Sequence, residues 1–189
     1  VIKMKKNIKN YLKDLEGLFS RVSVSGSGVR SHRVDDAIDK ITEIAIKQAS
    51  SGKKAVFIGN GASASIASHM AVDFWKNGKI KAMAFNDASL LTCISNDYGY
   101  RHVFEKPIQM FMDSGDILFA ISSSGKSENI LNGAEEAKRK GAKLITFSGF
   151  DENNDLRKLG SINFYVPSSC YGHVEVIHHS ICHCILDTI

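Results

Sequence analysis

The chain has 189 residues, 43% of them hydrophobic and 23% charged, with a formal net charge of +4. That length and balance fit one soluble globular domain with its own core and a helical appendage. The basic residues cluster partly in the leading VIKMKKNIKNYLK, a solvated helix start rather than a nucleic-acid surface, because no aromatic–basic patch accompanies it. No apolar stretch is long enough to span a bilayer, and no signal-peptide pattern is present. Cys93, Cys170, Cys182 and Cys184 form no CxxC pair and read as free thiols. The expectation is therefore a cytoplasmic protein with neither nucleic-acid nor membrane partners.

Helical spacing of apolar residues predicts helices over 8–19 and 34–50, the second carrying Val34, Ala37, Ile38, Ile41, Ile44 and Ala45. Between them, SVSGSGVRSH reads as a flexible joint or helix break, with Asp35 as an early-turn acid. The remainder alternates. A strand at 55–58 leads to a helix at 64–75, and one at 81–85 to a short helix near 89–95. A strand at 117–121 leads to a helix at 127–140. Strands at 143–147 and 162–166 follow, joined by a loop, and a helix over 174–186 closes the chain. Apolar strands separated by helices predict an α/β fold, a doubly wound parallel sheet flanked by helices on both faces. Ligands in such sheets bind beyond the carboxyl ends of the strands.

Two strands run straight into serine- and glycine-rich loops there: AVFIGNGASAS at 55–65 and ILFAISSSGKS at 117–127. The N–H groups of a first helical turn and the positive end of its dipole favour an anion, glycine permits close approach, and serine adds hydroxyl donors. There is no GxxxxGK[ST], and Gly59, Asn60 and Gly61 lack the third glycine of GxGxxG, so no nucleotide cofactor is expected. Either loop alone can be no more than a tight strand-to-helix turn; the pair, with Ser122, Ser123, Ser124 and Ser127 around Gly125, points to a phosphorylated small molecule.

His69 and Asp73 are four residues apart, on one face of a helix. Glu175 and His183 are eight apart on the last helix, with His179 between them at four-residue steps and His178 one residue off. These residues can supply a four-ligand metal set or an acid–base set. They can equally be satisfied polar or subunit-contact residues, and spacing leaves the choice open. Asn96 and Asp97 precede a glycine–aromatic loop and can be turn chemistry.

GNGASASIASHMAVDF, SNDYGY, ISSSGKSENI and EVIHHSICH together resemble the sugar isomerase (SIS) domain, and more narrowly the phosphoheptose isomerases. The resemblance runs from about residue 34 to the end. It implies a flavodoxin-like three-layer sandwich over 34–189, with residues 1–33 as an N-terminal helical extension used for oligomerisation. It also implies a homotetramer with sites at subunit interfaces, and a sugar phosphate as substrate. The family's substrate loop falls on Asn60, Gly61, Ala62 and Ser63, its Asn–Asp pair on Asn96 and Asp97, and its phosphate-binding serines on Ser122, Ser123, Ser124 and Ser127. Its metal positions fall on His69, Asp73, Glu175 and His183, which implies one zinc per subunit. Asp73 and Glu175 stand where the family has glutamate and glutamine, and SSCYGHVE is one residue short and lacks an aspartate often found there. The implied reaction is aldose–ketose isomerisation of sedoheptulose 7-phosphate through an enediol. Asp73 and His183 would be its acid–base pair, with Asn60 and Asp97 on sugar hydroxyls and Asp73 and Glu175 also facing substrate. The product would enter heptose synthesis for lipopolysaccharide, capsule or glycoprotein. The alternative is a non-catalytic SIS protein that binds a sugar phosphate or a replication-initiator protein.

Overall fold

The computed structural model describes residues 8–28 and 33–189. The first seven residues of the basic leader, and 29–32 of the predicted joint, lie outside them. The elements run α1 (Ile8–Phe19), β1 (Ser23–Ser25), α2 (Val34–Ser50), β2 (Ala55–Gly59), α3 (Ala62–Lys76), β3 (Ala82–Ala84) and α4 (Ala88–Tyr98). After a 3₁₀ turn at Tyr100–His102 come α5 (Glu105–Phe111), β4 (Ile117–Ser122), α6 (Glu128–Arg139), β5 (Lys143–Gly149), α7 (Asp155–Leu159), β6 (Ile162–Val166) and α8 (Tyr171–Asp187).

The six strands lie in the order β1-β6-β5-β4-β2-β3, all neighbours parallel except β1 against β6. Without β1 this is the flavodoxin-like order, whose crossover reverses direction between β2 and β4. The loops after those two strands are the two Ser/Gly loops, so topology places both at the switch point. Every residue of β2, β4 and β6 is buried, as strands covered on both faces require.

The two sheet faces differ in bulk. Phe57, Phe119, Phe147 and Phe164 point to one side, where they meet α2, α3 and α8. Phe57 stacks on Phe119 at 4.5 Å between centroids and meets Phe74 of α3 edge-on at 5.0 Å. The opposite face carries Val56, Ile58, Leu118, Ala120 and Leu144 against α5 and α6. Burying each of those phenylalanines contributes roughly 1.5–3 kcal/mol. α1 lies against α8, with the Tyr11 ring 4.6 Å from that of His173.

Three elements depart from the sequence reading. Ser23–Ser25, inside the predicted joint, is the antiparallel edge strand β1, with Val24 buried against the sheet. Three serine-rich residues carry no readable period, and only pairing with β6 defines the strand. α5 falls in a stretch to which the sequence reading assigns no element; its Pro107 stands in the first turn, where the missing N–H is not needed. α7 is five residues long within a predicted loop, started by Asn154, whose side chain accepts from Arg157 N at 2.9 Å.

Candidate active site

β2 ends at Gly59, where an added Cβ would lie 2.4 Å from the Ser63 carbonyl oxygen; glycine alone lets α3 begin this close to its own strand. β4 ends in the serine loop. Gly125 has φ +63°, and its N–H donates to Ser122 Oγ at 3.2 Å, while Lys126 N–H donates to Ser124 Oγ at 3.3 Å. These bonds use the acceptor side of each hydroxyl; the Ser124 proton stays free to donate, whereas Ser122 Oγ donates to Ser127 Oγ. Ser127 stands at the N-cap of α6 without a side-chain cap bond, and its Oγ lies 3.4 Å from Ser122 Oγ. Ser123 Oγ is buried with no partner. The loop's cation is turned away: Lys126 Nζ bonds Asp151 at 2.8 Å, which raises the pKa of this exposed lysine.

Asn60, Gly61, Ala62, Ser63, Ser122, Ser123, Ser124 and Ser127 line one cleft of about 220 Å³, together with Ile121, Tyr171 and Glu175. That is below the roughly 300–1,000 Å³ of pockets that enclose a whole ligand, and it suits the anionic end of a longer one. The Asn60 side chain is already engaged. It exchanges two hydrogen bonds with the amide of buried Asn129 (2.8 and 2.9 Å) and accepts from Tyr100 Oη at 3.0 Å. Asn60 therefore ties the β2 loop to the first turn of α6 and keeps one amide N–H beyond these bonds. Asn96 and Asp97 lie exposed at the end of α4, bonded to each other at 2.9 Å, and do not line the cleft.

One turn along α8 from Glu175, the character of the surface changes. His69 of α3 meets His179 and His183 with ring centroids 5.1, 5.2 and 4.7 Å apart pairwise, and their ligand atoms lie within 4.8 Å of one another. Asp73 Oδ2 lies 3.3 Å from His69 Nε2. Glu175 is outside this group, so α3 and α8 do not bring the expected four residues to one point: His179 stands where the spacing placed Glu175. The reason is helix rise, which sets Glu175 about 6 Å further along the axis. Burial pushes the Glu175 carboxyl above its ordinary value. Burial first, and then the two neighbouring imidazoles, hold His179 below its usual value, which keeps it neutral. His178, one residue off the stripe, faces the sheet and donates from Nε2 to the Ser148 carbonyl at 3.1 Å, with its pKa lowered to about 4 by burial.

The donor set suits a divalent metal. Imidazole nitrogen beside a carboxylate is the usual zinc environment, and His179 Nε2 is shielded from solvent without any hydrogen-bond partner. Sequence reasoning missed Asn129, Tyr100 and Tyr171 because nothing local marks them. His179 was legible as the middle of the α8 stripe.

The SIS domain family matches residues 27–149. The phosphoheptose isomerase of Aliarcobacter butzleri is 33% identical over 162 residues, covering 80% of this chain and 85% of that protein. That of Sulfurimonas denitrificans is 30% identical over 192 residues, 98% and 95% of the two chains. The chain belongs to the phosphoheptose isomerase family. Among solved structures, a phosphoheptose isomerase from Francisella tularensis superposes with a TM-score of 0.82 at 26% identity, covering 95% of this chain and 94% of that one. The phosphoheptose isomerase GmhA from Neisseria gonorrhoeae gives 0.74 at 25% identity, over 97% and 99%.

Proposed function

We propose that the chain is an aldose–ketose isomerase interconverting sedoheptulose 7-phosphate and D-glycero-D-manno-heptose 7-phosphate through an enediol. The observation that carries this reading is the continuity of the site: Glu175 lines the serine cleft and sits one helical turn from the imidazole–carboxylate cluster. A phosphate anchored at one end would present its sugar to proton-transfer groups at the other.

The Ser122, Ser123, Ser124 and Ser127 hydroxyls, with the opening amides of α6, would hold the phosphate, and the orphaned Ser123 Oγ has an acceptor to gain. Gly61, Ala62 and Ser63 form the facing wall. Asp73 would be the base that moves protons between C1 and C2, worth about 10²–10⁴-fold per transfer, and His183, which the resemblance pairs with it, would act on the sugar oxygens through the ring N–H that a metal bond leaves free. A divalent ion, zinc by the chemistry of the donors and one per subunit, would polarise the sugar oxygens when bound.

Exposed Val72 and Trp75 on α3, Val176 on α8, and Tyr98, Met110 and Phe111 favour a homotetramer. In such an assembly Asn96 and Asp97, outside their own subunit's cleft, would reach a neighbour's sugar, and the N-terminal helix would join the subunit contacts. Free Cys93, Cys170, Cys182 and Cys184 favour a reducing compartment such as the cytoplasm, where heptose precursors would be made.

The test is incubation with sedoheptulose 7-phosphate in deuterium oxide, followed by proton NMR. The aldose should form with deuterium at C2. Absence of any interconversion by metal-replete protein would overturn the assignment, and saturable sugar-phosphate binding without turnover would favour a non-catalytic SIS protein.

A further inference from the structure

We propose that this chain carries its metal ion on three imidazoles, His69, His179 and His183, and that Glu175 does not ligate it. The inference rests on the metal-assisted isomerase reading above and concerns which side chains do the holding. The three rings form a closed triangle, with centroid separations of 4.7 to 5.2 Å and ligand atoms within 4.8 Å of one another. Nitrogens bound to one tetrahedral zinc at 2.0–2.1 Å lie about 3.4 Å apart, so small side-chain rotations bring all three onto one ion. Among the described residues, no other group of three or more His, Cys, Asp or Glu side chains converges in this way.

His179 supplies an independent observation. Its Nε2 is buried and bonds to nothing, an arrangement that folded proteins rarely tolerate. A metal bond would satisfy that atom. Asp73 Oδ2, 3.3 Å from His69 Nε2, is placed as the carboxylate that orients a metal-bound histidine and raises its basicity. Glu175 lines the serine cleft one turn away, where no imidazole accompanies it.

α8 therefore divides its labour along one stripe, with Glu175 toward the sugar phosphate and His179 and His183 toward the metal. Three neutral ligands leave more of the ion's charge uncompensated than a set containing carboxylates, which favours a strong Lewis acid with a position open to a sugar oxygen. Glu175, relieved of coordination, keeps its carboxyl available to the substrate.

The test removes metal with a chelator and titrates the full-length apo chain with Co²⁺ alone, reading the visible d–d band, then displaces Co²⁺ with Zn²⁺. His179→Leu should lower affinity at least tenfold and weaken the band, and His179→Gln should do likewise, while Glu175→Gln binds within twofold of the parent. Unfolding curves on the apo proteins separate ligand loss from misfolding. The proposal is overturned if Glu175→Gln costs tenfold and His179→Leu costs nothing, or if both bind like the parent. Binding is read without substrate, so the two readings fail separately. A parent that takes up one Co²⁺ per chain through His179 but never converts the sugar leaves the donor set standing without the isomerase. A parent that isomerises fully with no Co²⁺ uptake does the reverse.

Discussion

Replacing Gly125 with alanine should both destabilise the protein and weaken phosphate binding, and the cost can be worked from the structure. Gly125 has φ +63°, a conformation costing an L-residue about 1–2 kcal/mol. An added Cβ would lie 2.1 Å from Asn154 Oδ1, 2.4 Å from its Cγ and 2.8 Å from its Cβ. Asn154 is fully buried and holds α7 in place, accepting from Arg157 N at 2.9 Å and donating to the Asp151 carbonyl at 2.7 Å. Displacing it loses a helix cap worth about 1–2 kcal/mol and strains buried polar bonds. The sum is about 3–5 kcal/mol, a large share of a typical domain's 5–15 kcal/mol. Urea unfolding of the parent and Gly125→Ala measures it, with KM for the sugar phosphate as the functional readout. In an Asn154→Gly background the three clashing atoms are gone, so adding Gly125→Ala should cost only the backbone term of about 1–2 kcal/mol. A penalty below 1 kcal/mol in the parent, or an equal penalty in both backgrounds, would refute the steric reasoning.

Ser122→Ala combined with Ser124→Ala should raise KM steeply in a protein that stays folded by circular dichroism, since each bond to a charged group is worth about 1.5–3 kcal/mol; an unchanged KM would remove phosphate from this loop. Asp73→Asn should lower kcat about 10²–10⁴-fold with little change in KM, and turnover at the parent rate would place the base elsewhere. Buried Asp116 bonds Lys54 Nζ at 2.6 Å and the backbone N–H groups of Lys54 and Asp113. Burial alone would raise its pKa, but Lys54 and those amides more than offset it and hold the carboxyl below its usual value. Its folded pKa being depressed, its contribution is fully present above the unfolded value near 3.9 and is lost as pH falls through the folded one. Asp116→Asn should therefore destabilise by about 3 kcal/mol at neutral pH in urea unfolding, and the gap to the parent should narrow in acid; a gap that stays constant down to pH 3 would contradict the assignment.

The sequence by itself determined the architecture. Long apolar strands bounded by Ser/Gly turns, and helices with apolar residues every three to four positions, are local patterns set by the 2.0 and 3.6 residue periods, so the central strands and long helices of the sheet were legible. The serine loop was legible for the same reason, since a strand end, a glycine and the start of α6 lie within a dozen consecutive residues. Short elements were not. β1 exists only through pairing with β6, and α7 only because Asn154 caps it beneath Gly125.

What only the tertiary structure decided is how α3 and α8 meet. Sequence spacing put Glu175, His179 and His183 on one stripe, but spacing carries no information on which turn of α8 lies opposite His69. Packing of α3 and α8 against the phenylalanine face sets that register, and it brings His179 to His69 while leaving Glu175 in the cleft. The same holds for Asn60, whose amide pairs with that of Asn129 in the first turn of α6. Partners 69 residues apart are joined by the β2–β4 switch point, a contact that no local pattern encodes.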